Sequence, residues 1–321
     1  MNRQRAPRFI TTPAASRAAE RSEIEAALLA PQASVSPKYF YDRLGSLLFE
    51  AITQLPEYYP TRTEAAIVRE HGAAIAARIG TGAALVDLGA GNCEKAAGWF
   101  ALLEPRRYVA VDISVDFLRA ALGKLQREHP GLDIVGLGQD FSARLDLPAG
   151  LLDDGPLVFL YPGSSIGNLT PEQAEIFLRS LREQADGAGL LIGVDLVKPS
   201  ELLQAAYDDA LGVTAAFNLN VLRQINLRIG ADFEPTDWAH VGLYNAPRSR
   251  VEMHLQARHE VCVRWPGAQR HFAAGERIHT ENSCKYTPTG FAELLVRAGF
   301  SSSVHWTDAR QWFAVFWACT G

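Results

Sequence analysis

A glycine-rich turn and two downstream carboxylates have the residue types and spacing to do chemistry. In Val86-Asp-Leu-Gly-Ala-Gly91, the two glycines allow a tight turn and close approach of the backbone to a ligand. About twenty residues later Asp112 ends the next apolar segment, where a carboxylate can accept both hydroxyls of a ribose. Asp140-Phe141 follows a third such segment and offers an acceptor and an aromatic ring to an adenine. The pattern predicts a nucleoside-containing ligand.

The local charge indicates which ligand this is. The dinucleotide fingerprint places a third glycine at position 94, but this chain has Glu94, which would repel a pyrophosphate. The acids at positions 87, 94, 112 and 140 suit S-adenosylmethionine, which has two ribose hydroxyls, an adenine, no phosphate and a positive sulfonium. Two alternatives stay open: Asp112 and Asp140 only cap secondary structure, or the ligand is NAD.

Asn168 is the candidate for contact with a second ligand. It lies in Gly163-Ser-Ser-Ile-Gly-Asn-Leu-Thr-Pro171, directly after a predicted strand, and ligands of open α/β sheets bind beyond the carboxyl ends of strands. Its amide can hold a carboxylate and also receive a hydrogen from an amine. The alternative is an ordinary Asx-turn.

Composition excludes several classes of protein. The 321 residues are 48% hydrophobic and 21% charged, with a net charge of −5 and no basic run, so we expect no nucleic-acid partner. The longest apolar stretches have the length of strands, so we expect no membrane partner, and the first 21 residues lack the apolar region of a secretory signal. We expect a monomer that acts on a small molecule.

The four cysteines do not form a CxxC pair, so the sequence predicts no metal, no disulfide framework and a cytoplasmic location. Cys93 lies in the glycine-rich turn, where it could be taken for a nucleophile. No histidine or basic group that would activate a thiol stands close to it in sequence, apart from Lys95, so we do not assign it that role.

The elements that position these residues alternate along the chain. Continuous apolar strands are predicted at residues 84–88, 108–112, 133–137, 157–161 and 189–194, with helices at 94–103 and 115–128 between them. Thr61-Arg-Thr-Glu64 predicts a capping box, and Thr170-Pro171 predicts another helix start. Helices are predicted over residues 200–229, followed by an irregular stretch at 232–245 and by period-two strands at 250–257 and 261–263.

We therefore predict an α/β fold with a Rossmann-like, mostly parallel core and an inserted α+β lobe. The core comprises residues 61–199 and 287–321, and the substrate-binding lobe comprises residues 22–60 and 200–286. Residues 1–21 are predicted to be a disordered tail.

Several long segments resemble the histidine-specific methyltransferases of ergothioneine biosynthesis, which convert histidine into its trimethylbetaine. The resemblance extends from about Pro37 to the C-terminus. The segments that carry it are Pro37-Lys-Tyr-Phe-Tyr-Asp42, Leu55-Pro-Glu-Tyr-Tyr-Pro-Thr-Arg-Thr-Glu64, the Gly163–Pro171 segment, Tyr207-Asp-Asp with Gly212-Val-Thr-Ala-Ala-Phe-Asn218, and Thr280-Glu-Asn-Ser-Cys-Lys285. One departure follows Gly91, where the family usually has a small hydroxyl residue and this chain has Asn92-Cys93.

The resemblance implies a class I methyltransferase that uses S-adenosylmethionine, no metal, and L-histidine as substrate, which it would convert to hercynine. It implies that Gly89, Lys95, Asp112, Asp140 and Phe141 bind the cofactor. Tyr58, Asn168 and Tyr207 would hold the amino-acid backbone, with Tyr41, Phe49 and Gly163 nearby. Glu281 and Ser283 would grip the imidazole, and Met253 would line the ring.

Elementary chemistry agrees with these roles. Histidine differs from other amino acids by two ring nitrogens, which a carboxylate and a hydroxyl can serve together. The amine must lose a proton before transfer, and we expect desolvation to lower its pKa while Tyr41 or Tyr58 passes the proton outward. From the residues alone, one alternative is that Glu281 is a surface carboxylate on a strand face, and the default interpretation of Met253 is core packing.

Four alternative functions remain open from the sequence. They are methylation of another free amino acid, methylation of a ring nitrogen of a histidine derivative, a catalytically silent protein that binds S-adenosylmethionine, and a nicotinamide oxidoreductase.

Overall fold

A computed structural model describes residues 5–11, 17–141, 144–152, 155–184 and 189–319. The chain forms two compact units. The sheet unit contains the described residues of Met1–Thr12, Pro60–Val197 and Cys284–Gly321, and the lobe unit contains those of Pro13–Tyr59 and Lys198–Ser283. The chain passes between the units after Tyr59, Val197 and Ser283, one to three residues before the predicted boundaries, but the lobe unit begins at Pro13 and not at the predicted residue 22.

The elements are numbered in chain order. The helices are α1 (Arg17–Leu29), α2 (Arg43–Thr53), α3 (Tyr59–Ile79), α4 (Glu94–Leu103), α5 (Val115–Glu128), α6 (Pro171–Gln184), α7 (Ser200–Ala205), α8 (Val213–Ile229) and α9 (Pro288–Arg297). The strands are β1 (Arg8–Thr11), β2 (Ala84–Leu88), β3 (Arg107–Asp112), β4 (Asp133–Gly138), β5 (Leu157–Tyr161), β6 (Gly189–Asp195), β7 (Trp238–Asn245), β8 (Arg250–Ala257), β9 (Val261–Trp265), β10 (Ala268–Phe272), β11 (Arg277–Cys284), β12 (Ser302–Thr307) and β13 (Phe313–Cys319).

The sheet unit is built on a sheet with the strand order β1-β4-β3-β2-β5-β6-β13-β12. The strands from β1 to β6 are parallel, and β13 and β12 add to the edge in antiparallel pairs. One face packs on α6 and α9, and the other packs on α3, α4 and α5. Apolar side chains on both faces explain the continuous Val, Ile and Leu runs. The predicted Rossmann-like, mostly parallel α/β core is confirmed.

The strand order reverses at β2, because β3 pairs with one edge of β2 and β5 with the other. Ligands of open α/β sheets bind at such a switch point, beyond the carboxyl ends of the strands. The turn at residues 89–91 directly follows β2, so the fold places the glycines at this point.

The predicted disordered tail is wrong for the described residues between 5 and 21. Arg8–Thr11 forms an edge strand parallel to β4, and Arg17–Leu29 is a helix. A glycine at position 136 makes this pairing possible, because a Cβ there would lie 2.4 Å from the Phe9 ring. The Arg119 guanidinium also lies over the Phe9 ring, 4.4 Å from its centre. Residues 1–4 and 12–16 lie outside the described residues.

The lobe unit contains a three-stranded sheet in the order β11-β8-β7 and a separate hairpin of β9 and β10. The prediction of an irregular stretch at 232–245 is wrong for β7, which pairs with β8 over its whole length. All of its residues except the buried Trp238 are half-buried, so their pattern did not indicate a strand. Among the described residues, no helix is both long and apolar enough to cross a lipid bilayer.

Candidate functional site

Backbone hydrogen bonds from β3 hold the glycine turn of the sheet unit. The N–H groups of Gly89 and Ala90 donate to the Val111 carbonyl at 2.9 and 3.1 Å. Gly89 and Gly91 have φ angles of 72° and 52°, in the left-handed region that favours glycine. A Cβ on Gly91 would meet no atom of the described residues within 4 Å, so this side of the turn is open. The backbone of the turn is therefore held in place by β3 and is open to a ligand at Gly91.

Asn92-Cys93 stands where the family that the sequence resembles usually has a small hydroxyl residue. The Asn92 Oδ1 accepts the Glu94 N–H at 3.1 Å, one of the N–H groups at the start of α4 that have no partner within the helix. The Glu94 side chain itself is exposed, 3.7 Å from Lys124. The departure from the family pattern therefore retains a hydrogen bond at the helix start.

Asp112 anchors the turn from the end of β3. Its Oδ2 accepts the Gly91 N–H at 2.9 Å, and its Oδ1 accepts the Ser114 N–H at 2.8 Å. Burial raises the pKa of Asp112, and the hydrogen bonds from Ser114 and Gly91 oppose that shift. The two carboxylate oxygens offer about four lone-pair directions in total. Asp112 thus caps the turn and retains acceptor capacity for ribose hydroxyls.

Phe141 borders the same turn. A Cβ on Gly89 would lie 3.8 Å from Cζ of Phe141, and the Phe141 ring packs 6.2 Å from Tyr161 and 6.1 Å from Phe177. Asp140 is exposed directly before it. These residues offer an apolar ring next to hydrogen-bonding groups, which fits an adenosine.

A buried acid lies behind the glycine turn. The Tyr108 hydroxyl donates to Asp87 Oδ2 at 2.7 Å, and Asp87 Oδ1 has no hydrogen-bond partner among the described residues. Burial raises the pKa of Asp87 to about 7. Burial also raises the pKa of the neighbouring Cys93 to about 12, and the charge of Asp87 adds to that shift. A thiol that stays protonated is a poor nucleophile, so Cys93 does not have that role.

We expect Asp87 to make the protein less stable as pH rises from about 4 to about 7. Its folded pKa of about 7 exceeds the ordinary value of 3.8, so in this window the folded state binds more protons than the unfolded state. Asp87→Asn resembles the protonated acid and removes this dependence. Denaturant unfolding at several pH values should show the variant gaining up to about 4 kcal/mol relative to wild type across the window. Parallel pH profiles for the two proteins would contradict the shifted pKa.

Glu64 is a site residue that the sequence reasoning missed. The predicted capping box is wrong, because α3 begins at Tyr59 and therefore Thr61 and Glu64 lie inside the helix. The buried Glu64 carboxylate instead accepts the Gly163 N–H with both oxygens, at 2.9 and 3.1 Å. Its Oε2 also lies 2.9 Å from Nζ of Lys95. Glu64 thus joins two residues that were predicted for the cofactor and the substrate.

The loop after β5 is fixed at its first residues. Gly163 has a φ of 77°, in the left-handed region that favours glycine, and a Cβ there would lie 2.7 Å from the Lys95 ammonium and displace it. Next to it, Ser164 Oγ accepts the Asp195 N–H at 2.9 Å. The loop continues into the short 3-10 helix Ser165–Asn168, which places Asn168 near the carboxyl end of β5.

A buried ion pair lies at the end of β6. Asp195 Oδ2 is 2.7 Å from Nζ of Lys285, and both side chains are almost fully buried. A buried charge is tolerated only when it is paired, so each residue requires the other. The sequence reasoning did not single out this pair, since its members are 90 positions apart.

Aromatic side chains predicted for the substrate lie together in the lobe unit. Tyr41 lies 5.9 Å from Phe49, Phe49 lies 6.1 Å from Tyr58, and Tyr58 lies 6.3 Å from Tyr207, all in edge-to-face pairs. Phe217 of α8 packs against Tyr41 and Phe49 at 5.7 and 6.0 Å. The structure therefore brings the tyrosines and Phe49 into one cluster.

Asp42 connects the two helices that carry Phe49 and Phe217 of this cluster. Its Oδ1 accepts the Gly45 N–H at 2.7 Å as N-cap of α2, and accepts the Asn220 amide at 2.8 Å. Its Oδ2 accepts the Gln224 amide at 2.7 Å. Since Asn220 and Gln224 belong to α8, this one carboxylate connects α2 to α8 directly beside Tyr41.

The alternation of β11 is interrupted at Glu281. Ile278 and Thr280 are buried, but Glu281 is buried as well. The half-buried side chains of His279 and Asn282 hydrogen-bond at 2.9 Å and so share a face, which regular alternation does not allow for residues three apart. The burial of β11 therefore departs from regular alternation between Thr280 and Glu281.

Glu281 and Ser283 are both buried and, being two residues apart, share one face of β11. Glu281 is 7% exposed and Ser283 is 4% exposed, so the interpretation of Glu281 as a surface carboxylate is wrong. Ser283 Oγ lies 2.6 Å from the Tyr207 hydroxyl, which connects it to the aromatic cluster. A carboxylate and a hydroxyl two residues apart are thus withdrawn from water in the lobe unit.

Tyr207 is positioned by its backbone. The Tyr207 carbonyl would lie 2.7 Å from a Cβ on Gly242, so glycine lets it approach β7. His240 Nε2 lies 2.8 Å from the same carbonyl, and the Asn218 amide lies 2.8 Å from His240 Nδ1. Burial lowers the pKa of His240, and the partners fit a neutral ring that donates from Nε2. Met253 of β8 pairs with Gly242 of β7 and is fully buried.

The candidate residues therefore form two groups, one in each unit. The sheet unit carries Gly89, Lys95, Asp112, Asp140, Phe141, Gly163 and Asn168, and the lobe unit carries Tyr41, Phe49, Tyr58, Tyr207, Met253, Glu281 and Ser283. In the part of the chain that the structure describes, no group of three or more His, Cys, Asp and Glu side chains is arranged to hold a metal ion.

Comparison with known families identifies the fold and its cofactor. Residues 20–320 match the family described as histidine-specific methyltransferase, SAM-dependent. The chain belongs to this family. It is therefore an S-adenosylmethionine-dependent methyltransferase, as the resemblance implied, and the open turn, Asp112 and Phe141 fit the adenosine of that cofactor.

Several relatives of this methyltransferase are named after histidine or its products. It is 41% identical over 304 residues to the histidine N-alpha-methyltransferase of Mycolicibacterium smegmatis, covering 92% of this chain and 94% of that protein. It is 40% identical over 296 residues to the protein of the same name from Mycobacterium tuberculosis, covering 90% and 91%. It is 30% identical over 285 residues to ergothioneine biosynthesis protein 1 of Neurospora crassa, covering 85% of this chain and 32% of that protein.

Proposed function

We propose that this methyltransferase acts on the α-amino group of L-histidine and converts it to the trimethylbetaine hercynine, as in ergothioneine biosynthesis. The observation that carries the proposal is the burial of Glu281 and Ser283 on one face of β11. A buried carboxylate can accept from one imidazole N–H, and a hydroxyl can serve the other ring nitrogen. The names of the relatives support the same substrate.

The polarity of this pair supports selection against other amino acids. An apolar ligand side chain would offer no hydrogen bond to either Glu281 or Ser283, and burying a polar group without that compensation costs about 1–3 kcal/mol, more when it is charged. Tyr207 already contacts Ser283 through its hydroxyl at 2.6 Å, so it orients that hydroxyl. The pair thus requires a ligand with two polar ring positions.

The proposed roles at the cofactor follow from the sheet unit. Asp112 receives the ribose hydroxyls, Asp140 and Phe141 hold the adenine, and Gly89 lets the backbone approach. Lys95, at the start of α4, pairs with the carboxylate of the methionine part. When bound, S-adenosylmethionine supplies a methyl group on a sulfonium, which an amine lone pair can displace.

The chain's own groups then have two tasks, to orient the amine and to remove its protons. We assign Asn168, Tyr58 and Tyr207 to the α-carboxylate and amine, and Tyr41 or Tyr58 to the outward transfer of the proton. Tyr58 is buried and packs edge-on to both Phe49 and Tyr207, which holds its ring in one orientation. Such low-dielectric surroundings lower the pKa of an ammonium and ease its deprotonation. Met253 contributes an apolar wall.

Product analysis tests the substrate directly. The purified protein is incubated with S-adenosylmethionine and an equimolar mixture of free amino acids, and mass spectrometry identifies which amino acid gains methyl groups. We expect histidine alone to gain three, all on the α-nitrogen. Methyl groups on another amino acid would overturn the substrate, and a methyl group on a ring nitrogen would overturn the proposed orientation. Absence of any product from every amino acid would contradict free amino acids as the substrate class.

A further inference from the structure

Glu64 is a buried acid in the interior of a helix, and its contacts are all within the sheet unit. Its side chain is 8% exposed and lies 2.9 Å from the Lys95 ammonium. Both of its oxygens accept the N–H of Gly163. It also lies against β6, where a Cβ on Gly193 would be 2.2 Å from Oε1. A charge withdrawn from water is tolerated only with such partners, so the position is specifically built for a carboxylate.

These contacts join two segments that are far apart in sequence. Lys95 is the second residue of α4, four residues after Gly91, and Gly163 lies in the loop after β5. The Lys95 side chain is 38% exposed, so it stays partly accessible to a ligand while Glu64 contacts its ammonium. Removal of the Glu64 side chain would therefore remove an ion pair from the Lys95 ammonium and a hydrogen-bond acceptor from the Gly163 N–H.

The charge of Glu64 has a second consequence. S-adenosylmethionine carries one positive charge more than its demethylated product, S-adenosylhomocysteine, because the sulfonium becomes a neutral thioether. An unbalanced lysine beside the cofactor would repel the sulfonium but not the thioether. The Glu64 carboxylate balances that lysine, so it favours the charged donor over the product.

We propose that Glu64 is a positioning residue that fixes Lys95 and Gly163 and, through its charge, selects S-adenosylmethionine over S-adenosylhomocysteine. The inference rests on the proposed function of Lys95 at the cofactor. It assigns Glu64 no contact with the reacting atoms. Its consequence is a lower affinity for the spent cofactor relative to the fresh one.

Calorimetric titration of both ligands, without substrate, tests this proposal. The readout is the ratio of the Kd for S-adenosylmethionine to the Kd for S-adenosylhomocysteine. In Glu64→Gln the Gly163 N–H still has an acceptor but the charge is gone, and we expect the ratio to rise about tenfold. Equal weakening of both ligands would mean that Glu64 only supports the loop, and an unchanged pair of Kd values would show no role at all. Either outcome overturns the proposal.

Two further variants separate charge from shape. Glu64→Asp retains the charge on a shorter side chain, so both ligands should weaken while the ratio stays at the wild-type value. Lys95→Met removes the repelling charge, so the ratio should fall, opposite to Glu64→Gln. If Glu64→Gln does not fold, as judged by circular dichroism, Lys95→Met decides alone, and an unchanged ratio contradicts the proposal.

The wild-type titration distinguishes this inference from the proposed cofactor site. A wild-type protein that binds neither ligand would contradict the cofactor roles assigned above, and this inference would fall with them. A wild-type protein that binds both ligands, with Kd ratios unaffected by Glu64→Gln and Lys95→Met, would overturn the role of Glu64 alone.

Discussion

Replacing Glu281 with glutamine is expected to lower kcat/KM for histidine by about 10- to 100-fold, mainly through KM. Glutamine has nearly the same shape but no charge, and a hydrogen bond to a charged group contributes about 1.5–3 kcal/mol. Glu281 is 7% exposed, so water cannot replace the lost interaction. Initial rates at saturating S-adenosylmethionine, with histidine varied, give both kinetic constants.

The matched control is the neighbouring residue Asn282. Its side chain is half-buried and hydrogen-bonds to His279 on the other face of β11, so Asn282→Ala should change kcat/KM by less than about threefold. The Kd for S-adenosylmethionine should be unchanged in Glu281→Gln, because Glu281 belongs to the lobe unit. Similar losses in the two variants would show that β11 is merely sensitive to substitution, and the assigned recognition role would be wrong.

The sheet unit could be predicted from sequence because its strands are buried on both faces. Five parallel strands appear as continuous apolar runs, and β2, β5, α4 and α5 have the predicted bounds. The residues at the strand ends follow from the same pattern, since parallel strands end at one edge of a sheet. This is why Gly89, Asp112 and Phe141 could be placed together before the fold was known.

The lobe unit was harder to predict because its strands are partly exposed and rich in polar residues. β10 reads Ala-Gln-Arg-His-Phe and carries no clear apolar alternation, and β7 is half-buried along most of its length. Regular alternation would have placed Glu281 on the face opposite to Thr280. In β11 both residues are buried although they are adjacent, and this departure from alternation leaves no sequence signal.

Polar contacts between residues far apart in the chain also could not be predicted from the sequence. The Thr61 and Glu64 spacing fits a capping box, but α3 starts two residues earlier, and Glu64 then reaches Gly163 across 99 positions. Two signals pointed to this residue without revealing its role. Glu64 ends one of the longest family segments, and a glutamate inside a helix that packs on a sheet needs a partner.

Replacing Asp112 with alanine is expected to weaken the binding of S-adenosylmethionine by about 100-fold or more. Asp112 holds the glycine turn through the Gly91 N–H and also accepts the Ser114 N–H, and it is the proposed acceptor for two ribose hydroxyls. Each lost hydrogen bond to a charged group contributes about 1.5–3 kcal/mol, so the losses combine to a large change in Kd. Calorimetric titration with the cofactor alone measures the effect without substrate.

The control for this prediction is Asp116→Ala, an exposed acid in the first turn of α5 and four residues away. It changes the net charge equally but makes no contact with the glycine turn, so its Kd should stay within about threefold of wild type. S-adenosylhomocysteine should weaken with Asp112→Ala as strongly as S-adenosylmethionine, since both carry the same ribose. Asp112 thereby differs from Glu64, whose effect depends on the sulfonium. A loss for Asp112→Ala confined to the charged ligand would mean that Asp112 acts through its charge rather than through the ribose, and its assigned role would be wrong.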